Sequence, residues 1–561
     1  MLAMLYIPIL EFLFIKKNSS AKKKKFNLNK LIQNAYNKAL DWTFRFPVPT
    51  LAVTVIIVTL SAFTFFNLDK RMFPYADRDQ FAIEIYLPTG TPVEETQAVA
   101  DSMYHILNRD ERVVSITSFV GMSSPRFQAT YAPNLGGENF AQFIVNTSSI
   151  EETVAILNDY TARYQNHFPN AYVRFKQLDY QLAQIPIEIR LSGSDIGRLK
   201  CYADSVISEL SPIDGLVWVH SNYEEPLPAM EINLNTTEAS RLGVARGLAE
   251  LELTGYYTSI PVGTVWEEDY PLSIVMKTAK ESEYDNPSQI GDKYISTAIP
   301  SVSVPLRQIA NVEPVWNEGQ IVRRNGVRTI TIMADVKRGY SENLVFKEVK
   351  KTMEQKVAPT LPKDIQYQYG GMYEGDQDIV PSIVKVVIIA VFIIFFFLLV
   401  KFKKISVALA ALLSLALIIP GTSFGLWVSG TRLSLTCILG VISLFGITIR
   451  NAILIFEHAE NLRINKKQTA RQAAYDAGQR RMVPIFLASA TTAIGIIPMI
   501  LANSALWSPM GIVIFWGTIF SMILLVLALP VMYWKIFDRI KIVDVRDRIK
   551  DKVKNKLPKR K

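Results

Sequence analysis

Six apolar stretches, at 48–68, 382–400, 405–428, 433–456, 482–502 and 509–534, constrain this chain more than any other feature of its sequence. Each approaches the ~20 residues that a helix needs to cross a bilayer. The first is parted from the other five by the mostly polar residues 69–379. A chain laid out in this way reads as a polytopic α-helical membrane protein with one very large domain on one side of the membrane. Residues 1–15 form a shorter apolar run that reads as the tail of a preceding transmembrane helix. It has no basic region ahead of it and no small-residue cleavage site, so it is not read as a signal peptide.

Charge orients the layout. Lysine and arginine crowd residues 16–45, 401–404, 458–481 and the tail from Lys535, whereas the loops at 429–432 and 503–508 are nearly uncharged. This is the positive-inside pattern, and it sets residues 69–379 outside the cytoplasm. Those basic stretches hold about half of the chain's 61 basic residues and few of its 51 acidic ones. The net charge of +10 is thus a topology signal, the external domain is acidic on balance, and no nucleic-acid partner is expected. The two cysteines, Cys201 and Cys437, fall in different parts of the layout and are not expected to pair.

In the external domain the apolar period switches between two and 3.6 several times. Phe81, Ile83, Ile85 and Leu87 alternate as a strand, Thr91-Pro92-Val93-Glu94 reads as a capping box opening a helix to Leu107, and a strand follows at 113–119. The unit recurs: a strand at 140–145, a capping box of Ser149 with Glu152, a helix to Tyr164 and a strand at 171–175. A third unit starts at 187–191 with a helix opened by Ser194-Asp195, and a fourth at 329–336 with a helix over 342–353 and a strand at 365–369. The expected fold is a polytopic helical membrane protein carrying a large α+β domain, built of two ferredoxin-like subdomains, the second split by an insert.

Several segments then resemble the resistance-nodulation-division (RND) efflux permeases. They are Phe73-Pro74-Tyr75-Ala76-Asp77-Arg78-Asp79-Gln80, Leu87-Pro88-Thr89-Gly90-Thr91, Ser240-Arg241-Leu242-Gly243-Val244, Gly446-Ile447-Thr448-Ile449-Arg450-Asn451-Ala452-Ile453-Leu454-Ile455 and Arg481-Met482-Val483-Pro484-Ile485. Their order and spacing match the C-terminal half of such a pump, in its drug (hydrophobe and amphiphile) branch. The resemblance implies a basic cytoplasmic linker with an amphipathic helix at 16–47 and a transmembrane helix at 48–68. It further implies porter subdomains at 69–185 and at 186–221 with 326–379, a docking insert at 222–325, five transmembrane helices over 380–534 and a basic tail at 535–561. The implied setting is the inner membrane of a Gram-negative bacterium, with the large domain in the periplasm. The implied role is multidrug efflux by proton antiport, hence antibiotic resistance. The implied partners are the N-terminal half of the permease, two further copies in a homotrimer, a periplasmic adaptor, an outer-membrane channel and small amphiphilic substrates. No cofactor is implied.

Arg450 stands inside an otherwise apolar span, where a guanidinium costs ~2.5–3.5 kcal/mol. The resemblance puts a lysine here, paired with aspartates of the other half. An arginine keeps the pairing possible with a rigid fork instead of a point charge; the competing reading is that Arg450 snorkels to the surface. Arg481 matches a family arginine on the proton path and equally suits a positive-inside anchor. The family's threonine falls on Ala488, so a hydroxyl would come from Ser489 or Thr491, and Asn451 could bond within the bundle. His458 reads as solvated. The six spans contain no aspartate or glutamate in their middles, so the chain is expected not to pump alone.

Phe119, Met122 and Phe127, where the family has a flexible loop between its pockets, and Phe143 beyond it, are expected along the substrate path, although each also suits a core. Lipid or protein export, heavy-metal export and an inactive fragment are the alternatives. Met122, Met230 and Met333 show no soft-metal spacing. No Walker motif, nucleophile elbow or metal-ligand spacing among His105, His167 and His220 is present, so no enzyme is expected.

Overall fold

The structure, a computed structural model, describes residues 28–554 except 182, 224–225, 259, 277–286 and 300, and the side chains of 32–538. The expected helix tail at 1–15 lies outside the described residues, as do the start of the basic linker and the last residues of the tail.

Helix α1 (Leu28–Arg45) precedes the first span, α2 (Pro47–Asn67). The first α/β unit comprises β1 (Gln80–Tyr86), α3 (Val93–Leu107), β2 (Val113–Val120), β3 (Phe140–Thr147), α4 (Ile150–Tyr164) and β4 (Tyr172–Gln177). Its four antiparallel strands lie in the order β2-β3-β1-β4. The second unit starts with β5 (Ile187–Ser192), α5 (Ile196–Leu210) and β6 (Leu216–Ser221). After an excursion it resumes with β13 (Arg323–Arg324), β14 (Val327–Val336), α8 (Glu342–Thr352) and β15 (Gln366–Gly371). Strand β14 pairs with both β6 and β5, and β5 with β15, so the order of the first unit repeats. Each sheet buries one apolar face under its two helices: Ile83, Phe143 and Val173 against Met103 and Ile156 in the first, Ile189, Leu191 and Ile332 against Val206 and Val349 in the second.

The excursion holds β7 (Leu227–Leu234), α6 (Thr236–Arg241), α7 (Arg246–Tyr257), the hairpin β8 (Ile260–Glu267) and β9 (Tyr270–Met276), β10 (Tyr294–Ser296), β11 (Ser303–Pro305) and β12 (Ala310–Asn317). Strand β12 pairs with β7, and a small core gathers around Ile295, Leu306 and Ile309.

The remaining spans are α9 (Met372–Phe402), α10 (Ile405–Leu413) continuing through a 3-10 turn into α11 (Ile419–Ser429), α12 (Leu435–Asn465), α13 (Ala470–Leu501) and α14 (Ser508–Lys554). Among the described residues six helices are long and apolar enough to cross a membrane. They pack on small residues. A Cβ at Gly421 would lie 2.4 Å from the Trp516 carbonyl oxygen, and one at Gly517 2.3 Å from Leu444, so glycine sets how near α11 and α12 come to α14. Helix α1 lies against the bundle, where Tyr36 donates to the Val526 carbonyl and Tyr475 donates to Asp41.

One expected cap is absent. The Thr91 hydroxyl donates to the Pro88 carbonyl at 2.7 Å within a turn, so α3 starts after Pro92 with no side-chain cap. Ser149 does accept from the Glu152 amide, and Asp195, not Ser194, caps α5 by accepting from Gly197 and Arg198. The spans also outrun their apolar cores: α13 begins at Ala470 and α9 at Met372, because polar residues continue a helix into water as readily as apolar ones.

Candidate functional site

Arg450 sits midway along α12, whose two faces differ. Leu444, Thr448, Asn451, Ala452 and Ile455 are buried against the bundle, whereas Ser443, Gly446, Arg450 and Glu457 share the open face at helical spacing. A Cβ added at Gly446 would meet nothing within 4 Å. No described residue hydrogen-bonds or ion-pairs with Arg450, and Glu457, two turns on, is taken by Lys401 at 2.9 Å.

On the buried face Asn451 donates to Ser489 on α13 at 3.4 Å, joining two of the five residues expected in a relay. The Asn451 side-chain oxygen and the Thr448 and Thr518 hydroxyls are buried with no partner among the described residues, so the interior of the bundle holds unspent acceptors and donors. Thr491 is exposed and donates to the Leu487 carbonyl, away from this group. Arg481 lies three turns inside α13, at the head of its apolar part, and its Nε is buried without a partner. His458 is half-buried, with an unpartnered Nε2, rather than solvated.

The residues expected along a substrate path differ in exposure. Met122 is 57% exposed, Phe119 is half-buried at the end of β2, and Phe127 packs tilted against Tyr131 with ring centroids 4.8 Å apart. Phe143 is wholly buried: β3 alternation turns it inward with Ala141 and Val145, so it packs the core of the first unit.

A second site was not foreseen. Between the two α/β units lies a cavity of about 700 Å³, bounded by β4 and α4 on one side and by the β14–α8 connection on the other, and reaching Arg71 beyond α2 and Met372 at the head of α9. Arg174 on β4 forks onto Asp335 on β14 at 2.6 and 2.7 Å and reaches Glu84 on β1 at 3.0 Å. Burial of Glu84 would raise its pKa. The Lys176 and Arg174 charges, with hydrogen bonds from Tyr131 and Tyr86, overcome burial and hold it at about 2. Arg71, 6% exposed, binds Glu342 at 2.8 Å. Above, Trp218 occupies a bulge in β6 with a left-handed backbone (φ 53°), its ring stacked between Tyr172 and His220 at 4.2 and 3.7 Å. A tryptophan held at positive φ is strained, and it sits where the two units meet. The signal for this site was present in the charged residues Glu84, Arg174 and Lys176 of otherwise apolar strands. Nothing in their spacing told that two units would face each other across them.

Residues 1–537 match the AcrB/AcrD/AcrF family. Among solved structures the chain is similar to a heavy metal efflux pump in two crystal forms. The TM-score is 0.74 at 20% identity for one and 0.76 at 19% for the other. Each comparison covers 91% of this chain and 52% of the other, so the chain spans about half the length of those structures. At that identity the likeness speaks for the fold, which agrees with six apolar helices joined to a mixed α/β domain. With the family match taking in all six spans and the whole α/β region, the chain belongs to the AcrB/AcrD/AcrF family of RND permeases.

Proposed function

We propose that this chain is the cation-bearing part of a proton-motive-force-driven exporter, and that carboxylates facing Arg450 come from a second set of spans docked on the open face of α12. What supports this is the position of Arg450: central in a span, on an uncovered face with an open Gly446, with no acid partner among the described residues. An unpaired guanidinium at that depth is costly and marks an ion or proton pathway. Protonation of the partner carboxylates would release Arg450, and the unspent polar atoms of Thr448, Asn451 and Thr518 offer places for a hydrogen-bonded chain beside it.

In this reading the repeated β2-β3-β1-β4 order makes the α/β units ferredoxin-like porter subdomains, at 69–185 and at 186–221 with 326–379, and residues 222–325 a docking insert. The setting is the inner membrane of a Gram-negative cell, with a homotrimer joined through an adaptor to an outer-membrane channel. The cargo is a drug-like amphiphile. The similar solved structures of a heavy metal efflux pump favour a second reading, metal cargo. Cells expressing the chain with its partner spans should retain less ethidium than controls until an uncoupler is added. Equal retention with and without the uncoupler rejects a proton-driven exporter, and protection against copper or silver without dye efflux selects the metal reading.

A further inference from the structure

The cavity between the α/β units is short of negative charge. Its lining holds six cations and three carboxylates. Each carboxylate is already engaged: Asp335 with Arg174, and Glu342 and Asp179 with Arg71 at 2.8 and 3.9 Å. Lys176 is answered by Glu84, at 3.8 Å. Three cations remain without a carboxylate among the described residues, Arg163 on α4 and Lys337 and Arg338 after β14. They come from both units and line one cavity.

Arg338 is the most informative of the three. It is half-buried, and among the described residues its guanidinium donates only to the neutral amides of Asn158 and, at 3.0 Å, Gln177. Burial pulls its pKa below the ordinary value, as expected of a desolvated ion without a counter-charge. The Lys337 ammonium lies 5.9 Å from the Tyr340 ring and the Arg163 guanidinium 5.2 Å from that of Tyr164. The remainder of the lining is mixed, with Tyr75, Phe175, Val336 and Met372 giving apolar wall. That wall reaches Met372 at the head of α9, whose apolar part begins two turns further on.

We propose that this cavity binds the anionic head of an amphiphile, a carboxylate or phosphate, with Arg338, Lys337 and Arg163 as its counter-charges and the apolar wall taking the tail. A planar guanidinium suits a two-oxygen anion, and its placement between two neutral amides leaves its charge for the ligand. The site deepens the exporter reading by naming a substrate class, and rests on that reading only for transport. The source of the anion is either a free amphiphile or a membrane phospholipid, which share this chemistry.

The test titrates the purified full chain in detergent with dansyl-labelled undecanoic acid and with its methyl ester. The acid should bind saturably and the ester about tenfold more weakly, as expected for loss of a charge-assisted hydrogen bond. The double variant Lys337→Gln with Arg338→Gln should weaken the acid by about tenfold and leave the ester unchanged, since glutamine still donates and spares the fold. Arg338→Lys should retain the preference for the acid. Equal binding of acid and ester, or unchanged acid binding in the double variant, overturns the proposal. In phosphatidylcholine nanodiscs, competition by added phosphatidylglycerol assigns the site to a lipid head, and its absence to a free amphiphile; either result upholds the anion site. A chain that prefers the acid yet fails the uncoupler test refutes transport alone. One that transports but binds acid and ester alike refutes the anion site alone.

Discussion

Arg174 of the first α/β unit and Asp335 of the second are joined by two hydrogen bonds, at 2.6 and 2.7 Å, across a sequence separation of 161 residues. The guanidinium is 8% exposed and also holds Glu84, so a single side chain ties two sheets together at the mouth of a charged cavity. Removing it strands two carboxylates in a desolvated place. Arg174→Ala should therefore lower stability by about 3–5 kcal/mol, the usual cost of breaking a buried pair from one side. Urea unfolding of the purified chain, followed by near-ultraviolet circular dichroism, measures this. Adding Asp335→Ala to it should cost less than the two single changes together, and strict additivity would show that the pair is not coupled.

Glu84 makes the same region acid-sensitive. Its folded pKa of about 2 lies below the ordinary 4.5, so its contribution is present above pH 4.5 and is lost as pH falls through about 2. Between those values the unfolded state binds more protons and stability rises with pH. Unfolding midpoints at pH 3 and pH 5, compared between the parent and Glu84→Gln, should show a smaller pH dependence in the variant. An equal slope would mean that other carboxylates carry the effect.

In the membrane, Arg450→Ala should abolish efflux by the chain with its partner spans while leaving its membrane abundance unchanged, because among the described residues the side chain makes no bond that holds the fold. Arg450→Lys should retain part of the activity, since a cation remains but the planar fork is gone. Parental efflux by the alanine variant would end the role given to Arg450.

Packing of the bundle gives a paired prediction. Gly421→Ala forces a Cβ to within 2.4 Å of a backbone oxygen on α14 and should cost about 1–3 kcal/mol, read as reduced folded abundance. Gly446→Ala meets nothing within 4 Å and should be tolerated by the described fold. Equal abundance of the two variants would mean that α11 and α14 can move apart without cost.

Helix ends supply the smallest effect. Ser149→Ala removes a cap and should cost about 1 kcal/mol. Thr91→Ala loses only a turn hydrogen bond and should cost less, in the same unfolding assay.

The sequence by itself determined the elements and their order. Apolar length marked the six spans, and the switch of period marked most strands and helices of the two units, though not β6, because burial of one face is a local, repeating demand. It also singled out Arg450, since one charge in an apolar run needs no partner to be conspicuous. What only the tertiary structure decided was which residues meet. Asn451 with Ser489, Arg174 with Asp335 and the uncompensated Arg338 belong to elements far apart in the chain, and electrostatics acts through distance in space. For the same reason Phe143, an aromatic residue suited to a pocket by type, was assigned to the core by the sheet register that faces it inward.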